Sequence, residues 1–196
     1  MLLLAVTLLS FSKLSVIAQS NLPDVPAGVF EVSTRTEIRT TTAAVWGALT
    51  NFTAYPEWNP FVREATVVTP FKISLPEQYP VEGANLIFRT QIPPLPLPVD
   101  ASTPDKLLNT QYALEIITHV EPDLLRLAWG NALFPSAVLA AERWQAISEL
   151  SNGLVLYESR EVFSGALAST LQRLYGTGLQ QAFDAQGDAL KLLLEV

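Results

Sequence analysis

From Gly165 to Leu194 an apolar residue returns every fourth position: Leu167, Leu171, Tyr175, Leu179 and Phe183. Leu174, Gly178 and Leu190 widen the same stripe. That period predicts an amphipathic helix over 165–194, with Ser164 as its cap, and not a strand. Nearly thirty helical residues extend about 40 Å. Gly176, Gly178 and Gly187 weaken the helix locally and leave room for close packing or a bend. A stripe of that length needs a broad apolar partner, and the rest of the chain offers strands.

The upstream pattern changes to period two. Phe30, Val32, Thr34, Thr36 and Ile38 share one face of a strand, and Glu31, Ser33, Arg35, Glu37 and Arg39 share the other. One of Thr40, Thr41 and Thr42 caps a short helix over 43–51. A second helical turn or tight loop over 55–60 is confined by Pro56 and Pro60. Strands follow over 61–69 and 86–92, separated by a Pro-containing loop. Residues 93–98, Pro-Pro-Leu-Pro-Leu-Pro, lack the donors of a central strand and predict an extended surface linker to about Lys106. Strands over 109–120, 124–130, 138–150 and 154–163 are joined by short turns, with Ser151-Asn152-Gly153 a strong hairpin signal. Short turns between consecutive strands predict an antiparallel sheet, curved to wrap the last helix. The expected fold class is therefore α+β: about seven strands, two short helices after the first strand, and a long C-terminal helix.

At 196 residues one domain is expected. The N-terminus stands apart: Leu2–Phe11 is an apolar run, and Val16-Ile17-Ala18 fits a peptidase site. The expected division is a signal peptide over 1–18, a Pro-rich linker over 19–28 and the folded domain over 29–196. Cleavage would make the protein secreted; a retained anchor or an ordinary apolar N-terminus, with a membrane-anchored or cytoplasmic location, remains open. The run is short for a stable membrane span. Asn51-Phe52-Thr53 is a glycosylation sequon only on the secretory route.

The composition is 49% hydrophobic and 16% charged, with a formal charge of −7, which argues against a nucleic-acid partner. With no cysteine there is no disulfide, thiol nucleophile or thiolate metal site. His119 is the only histidine, so a multi-histidine metal site is excluded. Neither GxGxxG nor a P-loop occurs. No cofactor and no metal is expected.

Three stretches carry a family likeness: residues 42–62 (TAAVWGALTNFTAYPEWNPFV), residues 126–130 (RLAWG), and residues 157–165 (YESREVFSG) with the helix that follows. Over roughly residues 28–194 the chain resembles the START-like superfamily, also called Bet v 1-like or polyketide cyclase/dehydrase-like (SRPBCC). The resemblance implies a helix-grip fold, with the sheet clasping the long helix, and commonly a cavity for lipids, sterols, polyketides or other apolar small molecules. A minority of such relatives are cyclases or dehydratases.

Trp58 offers an apolar wall with one donor, either closing a pocket or packing the short helices. Trp129 and Trp144 on separate strands are candidate walls, joined by Phe61, Phe88, Leu114 and Ile116. Leu171, Tyr175 and Leu179 are candidates for the floor, the Tyr175 hydroxyl being able to orient a polar group. Glu142 and Glu158 are the carboxylates to inspect for a raised pKa, among final-strand charges that include Arg143, Arg160 and Glu161. The leading expectation is a carrier or sensor of a small hydrophobic molecule. The rivals are a cyclase or dehydratase relying on Tyr175, Glu142 or His119, and a cavity-free interaction domain.

Overall fold

The computed structural model describes residues 20–195; the expected leader lies outside them. Seven strands form one antiparallel sheet: β1 Phe30–Ile38, β2 Val62–Val68, β3 Asn85–Gln91, β4 Thr110–Glu121, β5 Arg126–Asn131, β6 Ala140–Glu149 and β7 Val155–Ser164. Their spatial order is β1-β7-β6-β5-β4-β3-β2, so the only long-range pairing joins the first strand to the last. Helices α1 Thr42–Thr50 and α2 Tyr55–Trp58 follow β1, and α3 Ala168–Leu194 ends the described chain. This is the expected helix-grip arrangement.

Local chemistry explains the boundaries. The Thr41 side chain accepts from the Ala44 N–H and starts α1. Pro56 sits in the first turn of α2, where its missing N–H is harmless. The expectation for α3 is corrected at its start. Gly165 has φ +94°, which breaks the chain direction after β7, and the helix begins at Ala168 without Ser164 or any other side-chain cap. The N–H groups of Ala166 and Leu167 are instead taken by Ala137 and Val138 carbonyls.

Helix α3 grips the sheet through β1. On this edge strand, Gln180 uses Nε2 to donate to the Ser33 carbonyl (2.7 Å) and Oε1 to accept from the Ser33 N–H (3.2 Å), occupying backbone groups that an edge leaves open. Gly187 permits the approach. A Cβ there would fall 2.4 Å from Thr36 Oγ1. Gly187→Ala is therefore expected to destabilise by about 1–3 kcal/mol through overpacking, despite alanine's better helix propensity. Urea denaturation should show the midpoint falling.

The apolar stripe divides along its length. Leu179, Phe183 and Leu190 are buried, whereas Leu167 and Leu174 are exposed. The second half of α3 thus closes the core, and the first half borders open space.

Two loops depart from their expected roles as passive connections. In the Pro-rich segment, Leu95 is buried, and Arg63 donates to the carbonyls of Asp100 (2.8 Å) and Thr103 (3.3 Å) while pairing with Asp105. Arg89 pairs with the same Asp105. The segment's start, Ile92-Pro93, lies against Gly178 of α3. Residues 20–28 run along the convex side of the sheet, where Ser20 donates to Glu158 (2.9 Å), Asn21 to the Ile147 carbonyl (2.9 Å) and Arg160 to the Pro23 carbonyl (2.6 Å). No helix among the described residues is long and apolar enough to cross a membrane.

Candidate ligand cavity

Between the first half of α3 and the concave face of the sheet lies a cavity of about 230 Å³. Each wall follows from strand register. Phe88 of β3 pairs with Ala113 of β4, Leu86 with Glu115, and Trp129 of β5 with Ile117 and Arg143, so these side chains share the concave face. Arg143 in turn pairs with Glu161 of β7. Leu171, Tyr175 and Leu179 of α3 form the opposite side, and Tyr112, Leu133 and Phe134 stand at the exposed rim.

Seven of the ten residues proposed from the sequence line this cavity: Phe61, Phe88, Leu114, Trp129, Leu171, Tyr175 and Leu179. The remaining three lie elsewhere. Trp58 packs edge-on against Tyr55 within α2 (5.4 Å between ring centres) and is buried away from the cavity lining, which is structural packing. Ile116 and Trp144 belong to the convex face. Ile116 borders a separate outer hollow of about 370 Å³ that residues 25–28 help to form. Trp144 lies against the His119 ring (4.6 Å between centres, tilted by 32°) and donates to Glu142 (3.1 Å). His119 and Glu142, two of the three catalytic candidates, therefore face away from the cavity with Trp144, whereas Tyr175 lines it. Glu158 also faces away, held by Arg35 and Ser20.

The carboxylates that do reach the cavity are Glu115 and Glu161. Among the described residues neither has a hydrogen-bond or ion-pair partner within 4.0 Å. Burial pushes Glu161 from its ordinary 4.5 up to about 7, with the Arg143 charge pulling the other way. Burial, then the neighbouring charge of Glu161, raises Glu115 well above its ordinary range, again opposed by Arg143.

Arg143 is only 3% exposed and has no carboxylate in contact. It donates from Nε to Ser159 Oγ (3.0 Å) and from Nη2 to Gln186 Oε1 (3.2 Å), and its guanidinium lies 4.0 Å from the centre of the Phe183 ring. Gln186 Nε2 donates onward to Gln145 Oε1 and to the Tyr157 hydroxyl oxygen, both at 3.1 Å. Tyr157 itself donates to Gln145 Oε1 (2.7 Å). Burial raises the pKa of Tyr157 and keeps it a neutral donor. This closed network anchors the cationic floor of the cavity.

A pH dependence follows from Glu161. Its folded pKa lies above the unfolded one, so the native state binds more protons between about 4.5 and about 7. The stability held by the protonated carboxyl is complete below that window and is lost as pH rises through it, by on the order of 2 kcal/mol. Thermal melts of wild type and Glu161→Gln from pH 5 to pH 8 check this. The wild type should lose stability across the interval relative to the variant.

No known family model matches the chain, and no curated protein matches it. Solved structures do. A START superfamily protein from Mycobacterium smegmatis is 14% identical, with a TM-score of 0.53, over 83% of this chain and 98% of its own. The major latex-like protein 151 of Panax ginseng is 8% identical, with a TM-score of 0.60, over 84% and 97%. A di-domain ARO/CYC of a biosynthetic pathway is 8% identical, with a TM-score of 0.56, over 84% of this chain and 47% of its own. The likeness is one of fold: the START-like, Bet v 1-like helix grip inferred from the sequence.

Proposed function

We propose that the chain binds a compact, mainly hydrophobic molecule between the sheet and the first half of α3. The observation that carries this reading is the cavity itself, walled by Phe61, Phe88, Trp129, Leu171 and Leu179 yet left unfilled. Well-packed interiors leave few such spaces. Such a space speaks against a cavity-free domain. At about 230 Å³ the space lies between an engineered cavity of about 150 Å³ that holds benzene and the pockets of about 300 Å³ and above typical of drug-sized ligands. A one- or two-ring body fits that volume better than a sterol or a two-chain lipid. Burying roughly 200 Å² of apolar ligand surface supplies about 5 kcal/mol before association costs.

A catalytic reading rests on one feature. Glu115 and Glu161 face the same space with raised pKa values, as an acid and a base acting near neutrality would. Tyr175 lines the same cavity, but among the described residues no hydrogen bond orients its hydroxyl toward either carboxylate. Binding therefore remains the better-supported reading.

The test is calorimetric titration of phenylpropanol into wild type and into Ala113→Trp. Ala113 faces the cavity from β4, so an indole there occupies the space the ligand needs. Binding to the wild type, with at least tenfold loss in the variant, is expected. Equal affinity for both proteins contradicts the proposal.

A further inference from the structure

The charge inside the cavity is unbalanced in a way that selects among apolar ligands. Among the described residues, its charged lining consists of Glu115 on β4, Arg143 on β6 and Glu161 on β7. The other titratable groups facing it are the phenols Tyr112 on β4 and Tyr175 on α3. Leu171 and Leu179 of α3, Phe88 and Thr90 of β3, Val62 of β2 and Phe61 just before it bring no charge. With both carboxylates ionised, the state that a bound cation favours, the lining carries one net negative charge; with both protonated it carries the single positive charge of Arg143.

The two signs also differ in how far they are already engaged. The guanidinium of Arg143 is held on two edges by Ser159 and Gln186, and its face is covered by Phe183. The carboxylates of Glu115 and Glu161 accept nothing from the described protein, although both are half-buried against the cavity. Their oxygens stay open to the cavity and have no donor from the described protein, so as carboxylates they are only partly solvated. A ligand that brings N–H donors and one positive charge pairs them and neutralises the lining.

Resting on the cavity reading, we propose that the ligand is an apolar amine: a hydrophobic body fills the space under α3, and a protonated nitrogen meets the carboxylates of Glu115 and Glu161. An apolar carboxylic acid is the opposite choice. It would have to share Arg143 with two carboxylates in a medium that screens charge poorly.

Protons compete with the amine for the same oxygens. Below neutrality Glu161 takes up a proton, and Glu115, raised by burial as well, also favours its neutral form; both weaken amine binding. Amine affinity is therefore expected to rise about tenfold between pH 6 and pH 8, while affinity for a neutral isostere stays level.

The experiment compares phenylpropylamine, phenylpropanol and phenylpropanoic acid by calorimetry on the whole chain, with Glu115→Gln and Glu161→Gln as isosteric variants. At pH 8 the amine should bind the wild type roughly tenfold more tightly than the alcohol, and the acid more weakly than either. Each Gln variant should bring the amine to within about threefold of the alcohol while alcohol binding persists. An alcohol that binds as well as the amine, an acid that binds best, or an amine preference that survives both substitutions overturns the amine assignment and leaves the cavity reading standing. Failure of all three compounds to bind overturns both.

Discussion

Phe183→Ala is expected to lose about 3–5 kcal/mol of folding stability, the range for emptying an aromatic site in a core that only partly relaxes. Phe183 is fully buried where α3 meets the sheet. Its ring lies 6.0 Å from that of Phe61 and faces the Arg143 guanidinium at 4.0 Å. Truncation removes the dispersion contacts of the helix with Phe61, just before β2, and takes the aromatic face away from a buried cation. The helix grip should loosen at this point before the strands separate. Urea denaturation followed by far-ultraviolet circular dichroism checks the magnitude. A loss under about 1 kcal/mol would place the centre of the core elsewhere.

Arg143→Ala is the second large effect. The substitution strips donors from Gln186 Oε1 and Ser159 Oγ in a region sealed from solvent. Each buried group left unpaired costs about 1–3 kcal/mol, so a total near 3 kcal/mol is expected. Arg143→Met, which fills the same space without the charge, should recover part of the packing but not those two bonds. The variants also carry an electrostatic readout that a purely structural role would not move. Arg143 is the charge that holds Glu161 down against burial, so its removal should send the Glu161 carboxyl above about 7. A carboxyl carbon titration by NMR measures this; an unchanged Glu161 titration would separate the two residues electrostatically.

The grip of helix on sheet was legible in the sequence because its signals are one-dimensional. A four-residue apolar repeat marks α3, strict alternation marks β1, and the turn residues at 151–153 mark the last hairpin. The cavity was less legible, for a reason visible in β4. Both faces of that strand are apolar at 113–117, so alternation alone does not orient it, and the inward set contains a carboxylate. Leu114 and Ile116 are alike in sequence, yet Leu114 borders the cavity, Ile116 borders the outer hollow, and register turns Ala113, Glu115 and Ile117 inward. In β6 and β7 the usual rule is broken at particular positions, although Ile147, Tyr157 and Phe163 still turn inward. The concave face carries Arg143, Gln145, Ser159 and Glu161, and the large aromatic Trp144 faces the convex side. Polar residues turned toward a cavity mimic the exposed face of an ordinary strand. Arg143 and Glu161 thus read as cross-strand surface charges, and Glu115 gave no signal at all. The Pro-rich segment at 93–98 was legible as non-strand, but its anchoring by Arg63 and Asp105 depends on contacts between distant parts of the chain.

The most direct measurement is methyl-resolved NMR of the wild-type chain titrated with phenylpropanol, reading the methyl signals of Ala113, Leu171 and Leu179 against those of Ile116 and Val162. A compact ligand held between sheet and helix shifts the first group saturably and leaves the second unmoved. Saturable shifts confined to Ile116 and Val162, on the convex side, would contradict it.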